Sequence, residues 1–152
     1  MDSRSPADEV LLSAVRMAMA VSVRAADRIG AISPVQLRAL TVLQQLPGAN
    51  LSQFTEAMGV TASTTSRLAD RLVAAGLIGR RPSPATRREI SLSLTPLGRE
   101  VLLRYDELRL QGMRDCLSRL PPGDVAVVID ALSLMAARSS AQELAVIADR
   151  QS

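Results

Sequence analysis

The stretch that decides the fold covers residues 50–88, NLSQFTEAMGVTASTTSRLADRLVAAGLIGRRPSPATRR. It holds six of the chain's eighteen basic residues and two acidic ones, in sequence order Glu56, Arg67, Asp70, Arg71, Arg80, Arg81, Arg87 and Arg88. Its net charge is therefore 6 − 2 = +4, whereas the other twelve arginines and thirteen acidic residues give the rest of the chain −1. A small domain whose positive charge is concentrated in one segment is a candidate for binding a polyanion.

The same stretch has the pattern of a helix, a tight turn and a second helix. Asn50 and Gln53 have the spacing of a capping box, which predicts that a short helix begins there. Gly59 permits a sharp turn, and Thr61 is suited to cap a second helix over residues 62–75. Helix, turn and helix in this order are typical of a DNA-binding motif.

The second helix is predicted to have a buried face and a DNA-binding face. Buried positions are spaced three and four residues apart: Thr65, Leu68, Ala69 and Leu72. Small side chains near the helix start let it enter a major groove about 12 Å wide, where Arg67 could donate two hydrogen bonds to a guanine. The residues predicted to bind DNA from this helix are Thr61, Ala62, Ser63, Thr64, Ser66, Arg67 and Arg71.

Two short strands, residues 77–82 and 89–94, are predicted to form a basic hairpin, or wing, after the second helix. In the second strand Ile90, Leu92 and Leu94 alternate with two serines, so the apolar residues should face the core and the serines the solvent. The tip carries Ser, Pro, Ala and Thr, which are common in turns.

The wing residues predicted to bind DNA are Arg80, Arg81, Thr86, Arg87 and Arg88. Arg87 and Arg88 at the tip could enter a minor groove, whose negative potential attracts arginine. For Arg80 and Arg81 at the base two interpretations remain, contact with backbone phosphates or pairing with nearby acidic residues.

Long helical patterns flank the winged module, over residues 7–29 before it and 96–120 and 124–148 after it. Their apolar faces are too extensive for the small module to cover, so they should interlock with a second copy of the chain; the alternative is an intramolecular three-helix bundle. Gly112 would cost about 1 kcal/mol relative to Ala inside a helix, and a bend or a close helix contact would explain it.

The predicted fold class is mainly α, with an α+β wing: a winged helix-turn-helix with long N- and C-terminal dimerisation helices. The predicted division is an N-terminal dimerisation helix in residues 1–32, a DNA-binding domain in 33–95 and C-terminal dimerisation helices in 96–152.

Absent residue types exclude several functions. The chain has no histidine and one cysteine, Cys116, so it lacks the usual ligands of a zinc site and the commonest general base. We therefore expect no metal, no cofactor and no enzyme activity. Phe54 and Tyr105 are the only aromatic residues, too few to stack single-stranded bases, which favours duplex DNA. No secretory signal or membrane-length apolar run is present, and a cytoplasmic location is expected.

Three motifs together resemble the MarR family of bacterial transcriptional regulators: VTASTTSRLADRL at residues 60–72, GLIGR at 76–80 and LTPLG at 94–98. The resemblance is strong over residues 34–100. It implies a homodimer whose two second helices enter successive major grooves of a pseudo-palindromic operator, with the wings in flanking minor grooves. It also implies a repressor released by a small-molecule inducer.

The wing departs from the family pattern at one position. Members usually carry Asp-x-Arg or Asp-Arg-Arg there, and this chain has Thr86 before Arg87 and Arg88. Without that carboxylate the wing should be more mobile and should bind phosphates with less selectivity.

Three questions stay open at the level of sequence. An anionic inducer could pair with Arg16, Arg38 or Arg104, although each is also an ordinary surface charge. Cys116 could sense oxidants, but its place on an apolar helix face favours a structural thiol. The alternative function is a winged-helix protein-interaction module without DNA binding.

Overall fold

The computed structural model describes residues 5–82 and 89–149 of the chain. Within these residues the elements follow in the order α1 (Pro6–Ile29), α2 (Pro34–Gln45), α3 (Leu51–Met58), α4 (Ala62–Ala74), β1 (Ile78–Pro82), β2 (Ile90–Leu94), α5 (Pro96–Leu117) and α6 (Pro122–Asp149). The two strands form an antiparallel hairpin. This architecture confirms the predicted fold class, a mainly helical winged helix-turn-helix.

Local hydrogen bonds begin the first three helices where the sequence pattern places them. Ser33 and Gln36 form a reciprocal capping box at the start of α2, and Asn50 and Gln53 form one at α3. At α1 the box joins Ser5 and Asp8, and hydrogen bonds from the Ser5 hydroxyl and backbone N–H lower the pKa of the Asp8 carboxyl. Each box satisfies backbone N–H groups that have no partner inside the helix.

One hydrophobic core joins the helix-turn-helix to the wing and to α5. Phe54 of α3, Leu40 of α2 and Leu72 of α4 are fully buried there, as are Leu92 of β2 and Leu102 of α5. The four residues predicted for the buried face of α4 are confirmed: Thr65, Leu68, Ala69 and Leu72. The exposed face of α4 is therefore fixed by packing on its opposite side.

The alternation predicted for β2 is only partly right. Leu92 is buried, but Ile90 is 56% exposed and Ser91 is buried. Ser91 lies beside Asn50, with which it forms an isolated antiparallel bridge, and its hydroxyl donates to the carbonyl of Arg81. The segment before α3 thus covers the serine, which an alternation rule for a two-stranded hairpin does not anticipate.

A junction of hydrogen bonds connects the end of α4 to the start of α5. After Ala75 caps α4, Gly76 has a positive φ of 70°, its N–H donates to Val73, and the N–H of Leu77 donates to Leu72, which is a Schellman motif. The Thr95 hydroxyl lies 2.6 Å from the carbonyl oxygen of Gly76 and 3.1 Å from that of Leu77.

The same Thr95 hydroxyl accepts a hydrogen bond from the N–H of Gly98 at 3.0 Å, and the Thr95 N–H donates to Leu77 at 3.1 Å. A Cβ built at Gly98 would overlap the Leu77 carbonyl oxygen. We call Gly76, Leu77, Thr95 and Gly98 together the Thr95 junction. It holds the first turn of α5 against the corner between α4 and the wing.

Gly112 occupies a close contact between α5 and α1. A Cβ there would lie 2.9 Å from Cγ1 of Val21, which is 3% exposed. Of the two explanations offered for this glycine, the close helix contact is confirmed. About two turns earlier in α5, the Tyr105 hydroxyl donates to the carbonyl of Ser22, which also joins α5 to α1.

The flanking helices expose apolar side chains in this single chain. On α1 the exposed apolar residues are Val10, Leu11, Val15, Met17, Met19 and Val23. On α6 they are Val127, Ile129, Leu132, Leu134 and Met135. The chain divides into two compact units, one ending at Gly112 and one beginning at Met113. The division into DNA-binding and dimerisation parts stays a prediction.

Substituting Gly98 tests the Thr95 junction. Gly98→Ala should lower the free energy of unfolding by about 3 kcal/mol, because the new methyl group meets a backbone carbonyl that cannot rotate away. Urea unfolding followed by circular dichroism at fixed protein concentration measures the change. Gly123→Ala is the matched control, since no atom lies within 4 Å of its added Cβ, and it should be neutral or slightly stabilising. Equal stability of the two variants would contradict the steric role of Gly98.

Candidate nucleic-acid interface

The start of α4 presents a cluster of hydroxyl groups to solvent. The Thr61 hydroxyl accepts from the backbone N–H of Thr64 and lies 3.2 Å from the hydroxyl of Ser63 and 2.9 Å from that of Thr64. Thr61, Ala62, Ser63 and Thr64 are all exposed, and Ser66 is half-buried. Short polar side chains around a helix N-terminus can donate to phosphate oxygens or to base edges.

The outer face of α4 also carries two arginines that have no partner among the described residues. Arg67 and Arg71 are exposed and lie one turn apart. Neither guanidinium makes a hydrogen bond or ion pair with any residue that the structure describes. Two cations beside a row of hydroxyls on one exposed helix face suit the phosphates and guanine edges of DNA.

The two arginines at the base of the wing differ in their contacts. Arg80 Nη2 donates to Asp70 Oδ1 on α4 at 2.6 Å, so one of the two interpretations of this residue, pairing with a nearby acid, holds in the chain alone. Arg81 is exposed, and within the described part of the chain its guanidinium has no partner. The sequence did not single out Asp70 as this acid, because a pair ten residues apart, between a helix and a strand, leaves no periodic signal.

The remaining predicted DNA-binding residues, Thr86, Arg87 and Arg88, lie outside the described residues. The strands on either side of them are described. Arg81 pairs with Ser91 and Pro82 with Ile90, so the chain leaves β1 and enters β2 at the same end of the hairpin. The predicted role of these three residues therefore stays a prediction.

An open cleft of about 450 Å³ lies where α1 meets α2. Its lining residues are Ala26, Asp27, Gly30, Ala31, Ile32, Ser33, Pro34 and Gln36. The three arginines considered for an anionic inducer, Arg16, Arg38 and Arg104, do not line it. Cys116 is half-buried rather than fully buried.

Two structural features are absent from residues 5–82 and 89–149. No group of three or more Cys, Asp or Glu side chains in this part of the chain could hold a metal ion. No helix there combines the length and apolarity that crossing a bilayer requires.

Comparison with known proteins agrees with this geometry. The model of the MarR family matches residues 32–90. RV1404 from Mycobacterium tuberculosis is 30% identical in a structural match that covers 90% of this chain and 95% of that one, with a TM-score of 0.76. A Thauera aromatica protein named as the candidate transcriptional regulatory protein for the hcr operon is 30% identical over 101 residues, 66% of this chain. This chain spans 61% of that relative's length.

A more distant structure shares the fold. A point variant of MepR from Staphylococcus aureus, solved bound to an oligodeoxyribonucleotide, is 17% identical, with 90% of this chain and 99% of that chain covered and a TM-score of 0.64. The match of the family model to the helix-turn-helix and the near-complete structural match at 30% identity lead to one conclusion. This chain belongs to the MarR family of transcriptional regulators.

Proposed function

We propose that this protein is a homodimeric, sequence-specific double-stranded DNA-binding transcriptional regulator. It acts as a repressor, and a small ligand releases it from its operator. The observation that carries the proposal is the exposed face of α4, where Arg67 and Arg71 have no partner among the described residues beside the hydroxyls of Thr61, Ser63 and Thr64. Leaving charged groups unpaired on one narrow face suits a surface whose partner is an anion.

In this proposal α4 is the recognition helix. Its N-terminal residues, Ala62 among them, are small enough for the backbone to approach the floor of the major groove, and Arg67 contacts a base edge. Arg71 lies one turn further on, where it can contact the phosphate backbone. The MepR variant bound to an oligodeoxyribonucleotide has the same fold, which supports DNA binding by a protein of this fold.

The wing supplies contacts that do not depend on sequence. Arg81 at its base has no partner in the described chain, and Arg87 and Arg88 add two charges at the tip. Arginine side chains at such positions contact phosphates or enter the minor groove. Thr86 is neutral where family members usually carry an Asp, so the segment carries no carboxylate at that position and broad affinity for duplex DNA is expected.

Dimerisation rests on the apolar surface of the flanking helices. Val10, Val15 and Met19 of α1 are each more than half exposed in the single chain, as are Val127 and Leu134 of α6. An apolar surface of this kind normally marks an interface. A two-fold dimer would place two recognition helices on one side of a pseudo-palindromic operator.

Relief by a ligand has narrower support. The cleft of about 450 Å³ at the α1–α2 corner has the volume of a small-molecule site. A ligand there would lie beside the start of α2, whose leucines share one hydrophobic core with α3 and α4. The proposal needs no cofactor and no enzyme activity, and it places the protein in the cytoplasm with the DNA.

Two sets of arginine variants separate base recognition from phosphate binding. Arg67→Gln should cost about 1–3 kcal/mol on the cognate operator and much less on a scrambled duplex, because it removes a base contact. Arg87→Gln with Arg88→Gln should weaken both duplexes alike and flatten the dependence of log K on log salt by about 0.9 for each lost phosphate contact.

Fluorescence anisotropy with duplexes from the chain's own promoter region, over a salt series, measures both effects. Arg24→Gln removes the same charge from an exposed position on α1 and should leave binding unchanged. The proposal fails if the wild-type protein binds no such duplex at low salt, a result that would favour a protein-interaction module.

The dimer is tested by the mass of the protein in solution. Light scattering after size exclusion should give the wild-type protein twice the chain mass of 16.2 kDa. Val15→Glu should shift it to the monomer, since each protomer would bring an unpaired carboxylate into an apolar interface. Val35→Glu is the matched control: Val35 is 56% exposed and Val15 54%, but Val35 lies on α2, so the dimer should persist. A wild-type monomer at micromolar concentration would refute the dimer.

A further inference from the structure

One ion pair links the proposed recognition helix directly to the wing. Asp70 on α4 accepts a 2.6 Å hydrogen bond from Arg80 Nη2 on β1. The side chains of Asp70 and Arg80 are 59% and 40% exposed, so the pair lies on the surface rather than in the core. Both residues belong to the surface where the proposed function places DNA.

Among the described residues, Asp70 pairs with only one of four arginines on α4 and β1. Arg67 and Arg71 are three residues before and one residue after it on the same helix, and neither pairs with it. Arg81 follows Arg80 in β1, and adjacent strand residues point to opposite faces of a hairpin, so Arg81 is directed away from this pair. Of these four arginines only Arg80 is neutralised within the described chain.

We infer that Asp70 is a specificity-determining positioning residue, which holds Arg80 on the recognition helix and withholds it from the DNA backbone. This inference rests on the proposed DNA-binding function. In it Arg67, Arg71 and Arg81 contact DNA, whereas Arg80 fixes the base of the wing against α4. Arg80, which the sequence placed with Arg81 among the predicted DNA-binding residues, then has a different role from Arg81.

The consequence for binding is electrostatic. Affinity for any duplex, whatever its sequence, grows with the number of phosphates that the protein neutralises. A phosphate that approached Arg80 would have to displace a carboxylate already at hydrogen-bond distance, with no net gain of a charge pair. Asp70 therefore lowers the affinity for non-operator DNA while base contacts from α4 are untouched, so the ratio of specific to nonspecific affinity rises.

The test is a double-mutant cycle read as a salt slope on a scrambled duplex. Asp70→Ala should steepen the slope of log K against log salt by about 0.9 for each protomer, because Arg80 becomes a phosphate contact. Arg80→Gln alone should leave the slope at the wild-type value. Asp70→Ala with Arg80→Gln should return it to that value. Asp70→Glu keeps a carboxylate within reach of Arg80 and should behave as wild type.

Arg81→Gln is the matched control, the neighbouring arginine of the same strand without a partner, and it should flatten the slope by about 0.9. The inference is overturned if Arg80→Gln flattens the slope as much as Arg81→Gln does. It is also overturned if Asp70→Ala has the same effect with and without Arg80, which would mean simple loss of a repelling charge. If Asp70→Ala does not fold, as judged by circular dichroism, the comparison of Arg80→Gln with Arg81→Gln still decides. Wild-type protein that binds no duplex would refute the proposed function instead.

Discussion

The hydroxyl of Thr95 holds α4, the wing and the start of α5 in one arrangement. It lies within hydrogen-bonding distance of the carbonyl oxygens of Gly76 and Leu77, which end the Schellman turn of α4, and it caps α5 by accepting from Gly98. Each partner is a backbone group that no helix or strand ladder satisfies. The junction therefore avoids the free-energy cost of leaving these N–H and C=O groups without a hydrogen bond. Position 98 has no room for a side chain, because a Cβ there would overlap the Leu77 carbonyl oxygen.

This junction gives a structural role to residues of two motifs by which the chain resembles the family, GLIGR and LTPLG. GLIGR begins with the glycine that takes the positive φ after α4, and LTPLG supplies the threonine and the glycine of the junction. Because the junction lies at the first turn of α5, it fixes the start of that helix relative to the end of α4.

Surface chemistry divides the molecule into regions with different partners. On α4 and β1, three arginines remain unpaired among the described residues while the fourth is held by Asp70. On α1 and α6 the exposed groups include large aliphatic side chains and methionines, for which water is a poor partner. A basic surface and an apolar surface on the same chain are consistent with a protein that binds DNA through one and itself through the other.

The amino-acid sequence by itself determined the elements and the buried face of α4. Capping boxes, glycines after helix ends and a three-to-four spacing are local signals, and they lie within a few residues of what they specify. Only the tertiary structure decided that Ser91 is covered by Asn50, that Arg80 pairs with Asp70 and that Thr95 joins α4 to α5. These contacts join residues between ten and forty-one positions apart, and such distances have no periodic trace in a sequence.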